Sequence, residues 1–138
     1  MQDRYDLYFR EHQQEMIDTL RTLVKYPSVR GVSSTNAPFG EACADVLNTF
    51  LEISSRYGFK TKNMDSYAGT VEYGDNIRLG ILGHLDVVPV GFGWETDPFI
   101  LTEKNGEYYG RGVVDDKGPT LLTLYALKEL KDSRVKFN

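Results

Sequence analysis

Two short stretches hold residue types able to do chemistry. The first is Gly83-His84-Leu85-Asp86. On an extended chain, residues two apart project to the same side. The Asp86 carboxylate can therefore hold one imidazole nitrogen of His84 while the other nitrogen faces a metal. A carboxylate so placed fixes the tautomer of a metal-ligating histidine and raises its basicity. The second stretch is Gly110-Arg111-Gly112-Val113-Val114-Asp115-Asp116-Lys117-Gly118, adjacent carboxylates flanked by glycines. Like charges this close raise one pKa unless a cation neutralises them, and a divalent metal would do so. Each stretch also has a plainer reading. His84 can be a strand-end histidine satisfied by its neighbour, and Asp116 can be the N-cap of a helix starting at Lys117.

The elements that must position these residues follow from periodicity. Phe9, Met16, Ile17, Leu20, Leu23 and Val24 have helical spacing. They predict a helix over about residues 6–26, capped by Asp6 and stopped by Pro27. Residues 28–37 are polar and read as a loop. A second helix is expected to begin at Pro38, carry the stripe Cys43, Val46, Leu47, Phe50, Ile53 and Tyr57, and stop at Gly58. Strands are expected at 67–73 and 77–83 around Gly74-Asp75-Asn76, and at 100–103 and 107–109 around Asn105-Gly106. A last helix over about 117–131 is apolar round most of its circumference, so burial on more than one side is expected. Little chain follows to cover it, which suggests a piece of something larger. Helices before and after strands predict an α/β layered fold. His84 then falls at the carboxyl end of a strand, where open α/β sheets bind ligands.

Composition narrows the function classes. The net charge is −4 and no basic block stands out, so the electrostatic footprint of a nucleic-acid or anionic-membrane binder is absent. No apolar stretch approaches a membrane span. The acidic start, with no apolar run after it, predicts no secretory signal. The single cysteine, Cys43, forms neither an internal disulfide nor a structural zinc site, and a reducing cytoplasm is the expected compartment. Nucleotide fingerprints fail: Asp115 stands where a dinucleotide motif needs its third glycine, and no glycine precedes Lys117 as in a P-loop. His12 is expected to be structural at a helix edge, and Trp94 a packed aromatic anchoring its loop. Lys117 is expected to be solvated or paired with a neighbouring acid.

Together the motifs become specific. Gly83-His84-Leu85-Asp86-Val87-Val88-Pro89, Gly93-Trp94 with Asp97-Pro98-Phe99, Tyr109-Gly110-Arg111-Gly112 and Asp115-Asp116-Lys117-Gly118-Pro119 closely resemble the co-catalytic two-zinc peptidase and deacylase family. That family includes carboxypeptidase G, aminoacylase and carnosinase. Tyr67-Ala68-Gly69 and Arg78-Leu79-Gly80-Ile81 bring the likeness nearest to the bacterial dipeptidase PepV branch.

The resemblance implies a three-layer zinc-peptidase-like (phosphorylase/hydrolase-like) α/β fold, incomplete here, with a central mixed sheet and flanking helices. Residues 1–138 would be the N-terminal part of the catalytic domain, without its remainder or the lid or dimerisation domain. It makes His84 a ligand of one metal, Asp86 the catalytic-site partner that orients it, and Asp115 the carboxylate bridging two metals. It also makes the Asp115–Asp116 peptide bond cis. The implied cofactor is a pair of zinc ions, with manganese or cobalt as alternatives. The implied reaction is metal-assisted amide hydrolysis of a dipeptide or, in the deacylase branch, of an N-acyl amino acid. The family's catalytic base and next ligand are adjacent glutamates, and this chain has no Glu-Glu pair. Weak metal binding and no useful catalysis are therefore expected of the segment alone. A truncated relative serving as a binding module is the non-catalytic alternative.

Overall fold

The computed structural model describes residues 2–77 and 79–134, and the expected N-terminal helix divides into α1 (Gln2–Glu11) and α2 (Gln13–Val24). Asp6 lies inside α1 and caps nothing. The chain bends at His12 (φ −98°, ψ 4°), although the His12 N–H to Tyr8 and Met16 N–H to His12 hydrogen bonds carry the helical ladder through. At the bend the His12 ring packs against Tyr8, and its Nδ1 sits 2.9 Å from Glu15 Oε2. Helix α3 (Glu41–Arg56) starts later than Pro38, because Gly40 at its N-cap takes a φ of 97° that no helix continues through. At its far end Gly58 adopts the expected left-handed stop.

Strand β1 (Lys60–Met64) pairs antiparallel with β2 (Ala68–Glu72), Met64 opposite Ala68. The sequence reading missed β1, whose Lys-Thr-Lys-Asn-Met carries almost no apolar alternation. Its turn uses Asp65 and Ser66 at φ 52° and 58° in place of the Asn-Gly signature. Residues 77–83, expected to pair with 67–73, stay unpaired where described, and β2 has β1 as its neighbour instead. Their apolar side chains Ile77, Leu79, Ile81 and Leu82 are exposed. Strands β3 (Thr102–Lys104) and β4 (Glu107–Tyr109) close around Asn105 and Gly106, both at positive φ, as that dipeptide predicts. The result is a partial α/β fold. Among the described residues its strands lie in two small antiparallel pairs and not in one mixed sheet.

Helix α4 (Lys117–Asp132) packs on α2. Leu121, Leu124 and Tyr125 enter the core with Leu23, Val46, Phe50, Ile53, Phe59 and Leu85. Each such burial stabilises by about 1.5–3 kcal/mol. The Tyr125 hydroxyl shares a 2.8 Å hydrogen bond with that of Tyr57. Leu122 and Ala126 face outward, so α4 is covered on one side only, where burial on several was expected. No helix among the described residues is long and apolar enough to cross a membrane.

Candidate metal centre

The segment leaving α2 positions both halves of the site. Buried Ser28 donates its hydroxyl to the Leu85 carbonyl at 2.7 Å, and its own carbonyl accepts the Val87 N–H at 3.0 Å. Residues 85–87 are thereby held extended, with Leu85 and Val87 turned into the core. Alternation along an extended chain then leaves His84 and Asp86 on the open side, as the sequence spacing predicts.

The acidic loop is anchored to the same place by Lys117, which overturns the solvated or acid-paired reading of that residue. Lys117 is 0% exposed, and its Nζ donates to the Leu23 and Tyr26 carbonyls at 2.9 and 2.8 Å. Both carbonyls lie at the end of α2, where that of Leu23 also accepts the Tyr26 N–H at 3.3 Å and that of Tyr26 the Ser28 hydroxyl at 3.4 Å. Burial pushes the ammonium down to about 8. Replacing Lys117 by alanine removes a fully packed stem and strips two carbonyls of their shortest hydrogen bonds. The expected cost is about 3–5 kcal/mol, read as a lower urea midpoint of the complete protein. An unchanged midpoint would contradict the anchoring role.

So held, the two halves meet. His84 Nε2 lies 3.1 Å from Asp115 Oδ1, while Nδ1 lies 3.1 Å from the Asp86 carbonyl and 3.4 Å from the Asp86 carboxylate. Asp86 therefore reaches the ring through its backbone as well as its side chain. The Asp115–Asp116 peptide bond is cis, as the resemblance implies.

This geometry has an electrostatic consequence. Both ring nitrogens face oxygen acceptors, and a neutral ring can donate from only one of them; the tautomer that leaves Nε2 open to a metal carries its proton on Nδ1. Nε2 then faces a carboxylate oxygen, and two lone pairs at that distance repel. Something positive must lie between them: a second proton on the ring, or a cation held by both groups. Partial burial of His84 works against its charge, but the Asp86 carbonyl and carboxylate and then Asp115 outweigh it, and the imidazole titrates above its ordinary value. Ligands at neighbouring corners of a tetrahedral zinc with ~2.0–2.1 Å bonds stand roughly 3.3 Å apart. The observed 3.1 Å and the nitrogen–oxygen donor pair fit such an ion. A catalytic zinc normally takes three protein ligands. Among the described residues no group of three or more His, Cys, Asp or Glu could hold a metal, so the chain offers a pair of donors and not a closed cage.

The remaining singled-out residues lie around this centre or away from it. His12 stays at the α1–α2 bend. Half-buried Cys43 donates its thiol to the Ser28 carbonyl at 3.3 Å, and burial pushes its pKa up. Trp94 donates to the Val90 carbonyl at 2.8 Å under the Arg111 guanidinium, which binds that same carbonyl. It fastens its loop, as expected. Asp116 stands at the N-cap position of α4 but makes no side-chain cap bond. Its Oδ2 accepts from the His84 backbone N–H at 3.1 Å and the Thr120 hydroxyl at 2.9 Å. Sequence reasoning missed Thr120 and Ser28. Thr120 was findable, being one helical turn after Asp116, whereas no pattern marks Ser28.

Residues 80–138 match the model of peptidase family M20/M25/M40. Over 101 residues the chain is 46% identical to Beta-Ala-Xaa dipeptidase of Lactobacillus delbrueckii subsp. lactis, covering 72% of this chain and 22% of that protein. Over 99 residues it is 50% identical to YtjP of Bacillus subtilis, a provisionally named dipeptidase, covering 71% of this chain and 21% of that one. The crystal structure of human carnosine dipeptidase 1 matches with a TM-score of 0.77 at 26% identity, over 99% of this chain and 32% of its own. The chain thus spans about a fifth of the length of these two curated relatives. In sequence and in fold it is a segment that resembles peptidase family M20/M25/M40, on the side of its dipeptidases.

Proposed function

We propose that the complete protein is a metal-dependent dipeptidase, and that this chain is the N-terminal part of its catalytic domain. The observation that carries the reading is the imidazole of His84 with acceptors on both ring nitrogens, one of them the Asp115 carboxylate. The dipeptidase names of its relatives favour dipeptides over the N-acyl amino acids of a deacylase. Exposed Ile77, Leu79, Ile81 and Leu82 support a fold completed by further chain, since a contiguous exposed apolar stretch marks a surface that something else covers. The single thiol, which can form no internal disulfide, favours a cytoplasmic protein.

His84 and Asp115 would hold zinc ions, or manganese or cobalt, with the other ligands and the base supplied from elsewhere. When bound, the cations would polarise the amide carbonyl and lower the pKa of a water at the site. Asp86 keeps the proton on Nδ1, so that the lone pair of Nε2 points toward Asp115. Asp115 is 83% exposed at its side chain, which leaves its second oxygen free for a shared cation and room for a substrate.

The test is chelation of the complete protein. Hydrolysis of dipeptides is expected to vanish after thorough treatment with a chelator and to return with zinc or manganese. Activity that survives demetallation rejects the proposal. A complete protein that hydrolyses no amide in any metal form favours the binding-module alternative.

A further inference from the structure

The two neighbouring aspartates face different ways. Asp115 meets the imidazole edge of His84, whereas Asp116 turns back to the backbone of the same histidine. Its Oδ2 takes both the His84 N–H and the Thr120 hydroxyl, and the Thr120 hydroxyl lies 3.4 Å from the His84 carbonyl. One carboxylate oxygen with one hydroxyl thus spans the His84 peptide and the first turn of α4. The approach is close enough to require glycine beside it: a Cβ on Gly83 would stand 2.3 Å from Thr120 Oγ1 and 3.1 Å from Asp116 Oδ2.

Resting on the metal-site reading above, we propose that Asp116 is not a ligand but a positioning residue. With Thr120 it clasps the backbone of His84 and so sets where Nε2 stands relative to Asp115. The chemistry required of residue 116 is an oxygen acceptor for two donors, not a negative charge. Asparagine supplies that oxygen and alanine does not. At position 120 serine keeps the hydroxyl, and valine keeps the shape without it.

Cobalt(II) titration of the complete protein, followed by visible absorption and with circular dichroism as a folding check, separates these roles. Partners that orient a metal ligand are worth about 10–100-fold in affinity. Asp116→Ala is expected to weaken cobalt binding by that factor and to shift the absorption envelope. Thr120→Val should weaken it less, and Asp116→Asn and Thr120→Ser should recover most of it. Asp116→Asn as damaging as Asp115→Asn would make residue 116 a ligand and overturn the inference. So would Asp116→Ala, or Thr120→Val where the alanine variant does not fold, with cobalt binding unchanged. Wild-type protein that takes up no cobalt sinks the metal reading itself, and this inference with it.

Discussion

Asp115→Asn in the complete protein is expected to lower dipeptide turnover by ~10³-fold or more, and His84→Ala to do much the same. The magnitude follows from what is lost. A bound cation stabilises developing charge by several kcal/mol, and each 1.36 kcal/mol is a factor of ten in rate. The asparagine keeps the shape of Asp115 and removes the charge that would face His84 Nε2 across 3.1 Å. Both residues would serve the same cation, so their effects should not add: the double variant should be about as slow as the slower single. Metal content, measured after dialysis, should fall in parallel. With chelator present, Asp115→Asn has a second expected result. The carboxylate that favours the charged ring is gone, so the pKa of His84, followed by NMR, should fall below that of the parent protein. Turnover within tenfold of the parent in both single variants would remove these two side chains from the chemistry.

What could be read from the sequence was local, and what could not was long-range. The placement of His84 and Asp86 on one open side needed only the period of an extended chain, and buried Leu85 and Val87 realise it. The turn at Asn105-Gly106 and the stop at Gly58 needed only the positive φ of those residues. That Asp115 comes to His84 was carried by resemblance, because nothing in the intervening thirty or so residues fixes their separation. Lys117 went astray for a physical reason. Lysine is rarely buried without a carboxylate, and the acceptors that hold it are backbone carbonyls some 90 residues earlier, which no side-chain pattern records. The hairpin was misassigned because residues 77–83 have the stronger alternation. The partner β2 actually takes is the polar β1, brought near by the end of α3.

The second large effect is expected at a residue with no side chain. Gly118 sits in the first turn of α4, beneath the loop that carries Asp115. Its N–H reaches the Gly112 carbonyl at 3.3 Å, and a Cβ placed on it would lie 2.0 Å from the carbonyl oxygen of Val113. That oxygen belongs to the backbone, so no rotamer change relieves the collision; either the loop lifts or the helix end moves. Overpacking of this kind costs about 1–3 kcal/mol or more. Displacing a catalytic group by ~1 Å can cost ~10²-fold in rate. Gly118→Ala is therefore expected to fold less stably and to lose ~10²-fold in turnover, with weakened cobalt binding, although residue 118 would touch neither metal nor substrate. Serine at 118 should be no better, because the obstruction is at Cβ. A Gly118→Ala protein with parental metal affinity and turnover would mean that the loop from Gly112 to Asp116 does not set the position of Asp115. The close fit between that loop and α4 would then have no part in the chemistry.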